Sequence, residues 1–144
     1  MAEKFEIRFN SDPRYLRVVR GTMSQICELA GFTRFDSSKI VLAIDEACSN
    51  VIRHAYKGQS GQPITIQVTI DHANLEIDIM DQGEQVDKDD IKPRPLEELR
   101  PGGLGVHLIR TVMDDVIYQN LAEIGNRLVL IKALPKGKVI ESQN

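Results

Sequence analysis

The chain has 144 residues, 42% hydrophobic and 27% charged, with 21 acidic side chains against 18 Lys and Arg for a net charge of −3. That length suits one domain, 1–144, and lets it bury ~68–70% of its unfolded surface, so a core needs no disulfide or structural metal. The acidic balance argues against a nucleic-acid footprint, while only Cys27 and Cys48, and no apolar run near the ~20 residues of a membrane span, point to a soluble cytoplasmic protein.

Phe5, Ile7 and Phe9 alternate with Glu6 and Arg8, which predicts a first strand closed by the turn Asn10-Ser11-Asp12-Pro13. Asp12 or Ser11 then caps a helix over about Arg14–Ala30, where Tyr15, Val19, Met23, Ile26 and Ala30 recur at helical spacing. A second helix is expected from the cap Asp36-Ser37-Ser38 to about Tyr56. At ~100° per residue, Ile40, Ile44, Ala47, Cys48, Val51 and Ala55 gather into one stripe, and Glu46, Asn50 and Arg53 fall roughly opposite.

Ile64 to Ile70 and Leu75 to Ile79 alternate around Asp71-His72-Ala73-Asn74, as an antiparallel hairpin does. Residues 82–101 are charged, hold Pro93, Pro95 and Pro101, and have the length of a binding loop or lid. Gly103 to Asp115 reads as a third helix, Val116–Tyr118 and Leu128–Ile131 as strands joined around Gly125-Asn126, and 135–144 as a frayed tail. The mixture predicts an α+β fold with helices covering one face of a sheet.

Three short segments carry candidate chemistry. Glu46 and Asn50 stand one helical turn apart: the amide oxygen suits Mg²⁺ and the carboxylate can accept a proton, although a solvated helix face has the same pattern. Asp81 ends a strand and precedes Gly83, so it either accepts a hydrogen bond from an exocyclic amine such as that of adenine or closes an ordinary turn. Gly102-Gly103-Leu104-Gly105 leads into a helix, where bare backbone amides can face phosphate oxygens or simply turn the chain. It is not a Walker loop, since Val106-His107 stands where Lys and Ser/Thr would follow.

In order, Glu46 to Tyr56, Asp81-Gln82-Gly83 and Gly102 to Ile109 closely resemble the three ATP-binding boxes of the gyrase, heat-shock chaperone 90, histidine kinase and MutL superfamily. With Ser11 to Leu16 and Met113-Asp114-Asp115-Val116, the chain is most similar to the anti-sigma factor serine/threonine kinases. The resemblance implies a two-layer Bergerat-type α/β sandwich with a mixed, mostly antiparallel sheet, binding ATP and Mg²⁺. Asn50 would hold Mg²⁺, Asp81 with Gly83 would read adenine, and Gly102, Gly103, Leu104, Gly105 and Val106 would meet the phosphates under a lid at 82–101. Glu46 would be the catalytic base, and Arg53 a phosphate contact or a solvated charge.

The implied substrate is an anti-anti-sigma (STAS-like) protein, the implied second partner a sigma factor, and the implied assembly a homodimer, with Arg17 and Arg20 as candidate partner contacts. One departure stands out: Glu84 and Gln85 occupy positions where that family often has a small residue. An acid there raises the electrostatic cost of a triphosphate unless it faces solvent or pairs with a base such as Lys88 or Arg100. A non-catalytic, ATP-binding partner switch is the alternative this departure suggests.

Overall fold

The computed structural model describes residues 2–84 and 103–136, with the side chains of 103–106 excepted. Its elements are β1 (Glu3–Asn10), a 3-10 turn (Pro13–Tyr15), α1 (Leu16–Leu29), α2 (Arg34–Asn50), a π turn (Val51–Ala55), β2 (Pro63–Ile70), β3 (Asn74–Asp81), α3 (Gly103–Val112), β4 (Asp115–Asn120), a 3-10 turn (Ala122–Ile124) and β5 (Asn126–Ala133). The strands pair in the order β1-β2-β3-β5-β4, antiparallel throughout. The α+β expectation is met, and the sheet is antiparallel rather than mixed among the described residues.

Alternation decides which face of the sheet is covered. Ile64, Ile66, Val68, Leu75, Ile77, Ile79 and Leu130 point to one side and join Val19, Met23, Ile40, Ile44, Ala47 and Cys48 from the helices in a single core. Burying an aliphatic chain of this kind stabilises the fold by about 1.5–3 kcal/mol, which is why the period-2 and period-3.6 stripes must face each other. The opposite side carries Gln67, Glu76, Asp78 and Arg127, with both Arg127 Nε and Nη2 donating to Asp78 Oδ2. Burial pushes the thiols of Cys27 and Cys48 up to about 12, so both are apolar packing groups at neutral pH.

Helix entries differ from expectation in two places, Tyr15 and the start of the second helix. Asp12 does cap the first helical turn, accepting from Arg14 N at 2.9 Å, but Tyr15 lies in the 3-10 turn and is 41% exposed, so Leu16 takes its place in the core. Ser11 is no cap: its hydroxyl donates to Gln59 O and accepts from Gln62 N, clipping the end of β1 to the connection before β2. Helix α2 starts before the predicted cap, because extended Thr33 accepts from Asp36 N at 3.1 Å. Asp36 thereby falls in the first turn, where its charge favours the helix dipole.

Candidate nucleotide site

The regular hydrogen bonding of α2 ends at Asn50, and the next five residues form a π turn instead of the predicted α-helix to Tyr56. The last carbonyls of a helix have no donor within it. Ala55 O accepts from Glu84 N at 2.9 Å, so the segment after β3 is bonded directly to the end of α2. Tyr56 adds a second tie, its hydroxyl accepting from Gln82 N at 2.7 Å and donating to Pro63 O at 2.6 Å. Gly83 sits so close that a Cβ built on it would lie 2.5 Å from Ala55 O, which leaves no residue but glycine there. The first two boxes are thus one structural unit.

On the solvent side of that unit, Glu46, Asn50 and Arg53 are joined through one guanidinium group. Arg53 Nη2 donates to Asn50 Oδ1 at 3.0 Å and stands 3.7 Å from Glu46 Oε2. The Glu46 side chain is 30% exposed, accessible to a reactant yet anchored by the apolar stripe beneath it. The stripe predicted for this helix, Ile40, Ile44, Ala47, Cys48, Val51 and Ala55, is buried in full.

Asp81 is the last residue of β3 and only 6% exposed. Its Oδ1 accepts from Asn126 Nδ2 at 2.8 Å and from Gly83 N at 2.9 Å, and among the described residues Oδ2 receives no donor. Burial raises its carboxyl above the ordinary range, while the bonds from Asn126 and Gly83 pull it back. The second oxygen keeps acceptor capacity that no described donor uses.

Asn126 is a residue that sequence reasoning treats only as part of a turn. It lies opposite Asp81 in the β3–β5 register, is 3% exposed, and uses every polar position of its amide. Besides Asp81, its Nδ2 donates to Glu84 O at 2.9 Å, and its Oδ1 accepts from Tyr118 Oη at 2.7 Å and Asn120 Nδ2 at 3.0 Å. Gly125 lets the chain pass: its φ is +124°, and a Cβ would meet Asp81 O at 2.0 Å. The β3–β5 register is the signal that identifies Asn126 as the clamp on Asp81.

Glu84 is 68% exposed at its side chain and pairs with Lys57 Nζ at 2.9 Å, so its charge is matched at the helix end. Lys88 and Arg100, the bases considered for it from sequence, lie outside the described residues. So do Gln85 to Gly102, including Gly102 itself and all of the expected lid after Glu84, and the tail beyond Lys136. Gly103, Leu104, Gly105 and Val106 form the first turn of α3, a helix that packs against α2. Arg20 gives its charge to Asp45, Nη1 to Oδ1 at 2.8 Å, and Arg17 is exposed on α1.

An antiparallel sheet with helices on one face, an acid-and-amide helix and an adjoining Asp-x-Gly turn make up a two-layer α+β fold. Residues 9–132 match the histidine kinase-like ATPase domain. A Bacillus cereus protein named serine-protein kinase RsbW is 32% identical, the match covering 99% of this chain and 92% of that protein. Its namesake from Bacillus subtilis is 31% identical, with 83% of this chain and 79% of that protein covered. A crystal structure of the RsbU and RsbW domains of a Mycobacterium tuberculosis protein shares the fold, with a TM-score of 0.66 and 17% identity over 92% of this chain and 32% of that longer one. The chain belongs to the histidine kinase-like ATPase domain family, and the resemblance drawn from its three boxes holds. No described helix is long and apolar enough to cross a membrane.

Proposed function

We propose that this chain is an ATP-dependent serine/threonine protein kinase acting as an anti-sigma factor in the cytoplasm, which phosphorylates an anti-anti-sigma (STAS-like) partner and sequesters a sigma factor. The observation that carries the reading is the joining of Glu46 and Asn50 on one accessible helix face, with the buried Asp81 turn bonded to the end of the same helix. The relatives named serine-protein kinases support the reaction type.

Asp81 Oδ2 accepts from the adenine amine, with Asn126 holding the carboxylate in place. The first turn of α3 offers unbonded amides to the phosphates, as any helix start does. Asn50 Oδ1 is a neutral hard oxygen already engaged by a cationic group, and so fits Mg²⁺ as one ligand among phosphate oxygens and waters. Bound there, Mg²⁺ would neutralise charge on the transferring phosphate. Glu46 takes the proton of the partner's serine hydroxyl as that oxygen attacks the γ-phosphorus. The bond to the β-phosphate oxygen breaks, ADP leaves, and the proton passes from Glu46 to water.

A homodimer fits the edge of β1, which has no further strand beside it among the described residues and borders a groove of about 520 Å³ lined by Ile7, Phe9, Tyr15, Val18 and Pro63. Sedimentation at micromolar protein tests it, and a monomer at all concentrations would remove it.

The kinase test is incubation with γ-labelled ATP, Mg²⁺ and an anti-anti-sigma protein encoded beside this chain's gene. Label should appear on a serine or threonine of the partner, and Glu46→Gln should slow transfer by about 10²–10⁴-fold with ATP affinity retained. Absence of transfer, or a Glu46→Gln variant as fast as the parent, would overturn the reading.

A further inference from the structure

Resting on the nucleotide-site reading above, we propose that Arg53 is a positioning residue that competes with Mg²⁺ for the Asn50 carbonyl oxygen, so that metal-bound ATP enters by exchanging one cation for another. Three observations support this. Arg53 Nη2 donates to Asn50 Oδ1 at 3.0 Å, occupying the one oxygen that suits the metal. The same nitrogen lies 3.7 Å from Glu46 Oε2, so a single group orients both the amide and the carboxylate. The guanidinium is 43% exposed and anchored only to these two residues among those described, so it can turn away without disturbing the core.

The physical argument is electrostatic. Two cations on one carbonyl oxygen repel at a separation where solvent screens them poorly. When Mg²⁺ takes the Asn50 oxygen the guanidinium turns out to solvent, so the metal's gain is offset by the lost Arg53–Asn50 hydrogen bond. Arg53 therefore sets how much the metal improves ATP binding, a quantity separate from overall affinity.

The measurement is the ratio of ATP dissociation constants in EDTA and in excess Mg²⁺, by isothermal titration calorimetry on the full chain. Arg53→Ala removes the competitor, and the ratio should rise about 5-fold over the parent, equivalent to about 1 kcal/mol of coupling. Arg53→Lys keeps a cation on the same face and should hold the ratio near the parent's. Thermal unfolding without nucleotide serves as the control, because a merely structural role would shift the melting temperature and leave the ratio alone. If Arg53→Ala changes both constants by the same factor, or neither, with the parent still binding ATP, this inference fails and the site reading stands. If the parent binds no ATP under either condition, both fail.

Discussion

Asp81→Asn separates the ligand role of this residue from its structural one. The exchange replaces one oxygen by an amino group at almost constant volume. Asn126 Nδ2 and Gly83 N already donate to one oxygen, so the variant's carbonyl takes that place and its NH₂ falls where Oδ2 had been. The adenine amine then meets a donor. A hydrogen bond to a charged acceptor contributes about 1.5–3 kcal/mol, so ATP should bind on the order of 10- to 150-fold more weakly. GTP, whose guanine offers an acceptor at the matching position, should lose less, narrowing the preference for adenine.

Stability should move the other way. Burial raises the Asp81 carboxyl, so the folded chain holds this proton more tightly than the unfolded one. The resulting stabilisation is fully present below the unfolded value of ~3.9 and is lost as pH rises through the folded value. The amide of the variant does not titrate, so Asp81→Asn should match or exceed the parent in stability at neutral pH and show a flatter profile from about pH 4 upward. Urea unfolding across that range and calorimetric titration with ATP and GTP read both effects. A folded variant with undiminished ATP affinity would refute the assignment of Asp81 as the adenine acceptor.

Tyr56→Phe strips the hydroxyl that joins Gln82 N to Pro63 O and should cost about 2 kcal/mol, read as a lower urea midpoint at constant slope. Gly83→Ala drives a methyl group to within 2.5 Å of Ala55 O, so the turn must shift; a loss of about 1–3 kcal/mol and weaker nucleotide binding are expected from unfolding and titration. Arg127→Met leaves the Asp78 carboxylate buried without its two donors and should cost about 3 kcal/mol, the low end for a broken buried pair because the guanidinium is 34% exposed. Adding Asp78→Leu should recover most of that loss in the same denaturation assay.

Much of this molecule is written in local pattern. The stripe from Ile40 to Ala55 and the alternation of Ile64, Ile66 and Val68 follow from periods of about 3.6 and 2, which any chain of those residues must satisfy when one face is buried. The acid and amide of the second helix and the Asp-x-Gly turn are equally legible, since each lies within a few consecutive residues. The pattern puts the cap of α2 at Asp36-Ser37-Ser38, and only the extended backbone at Thr33, bonded to Asp36 N, moves it to Thr33.

What the sequence by itself determined is the inventory: two layers, a polar face on the second helix, and three candidate boxes in order. Tertiary structure decided how that inventory works. Asn126 clamps Asp81 from 45 residues away, Lys57 matches Glu84, and the helix end at Ala55 meets Glu84 N. These pairings depend on strand register and on how a helix end meets a loop. Such contacts arise only when distant segments pack, and no local periodicity encodes them.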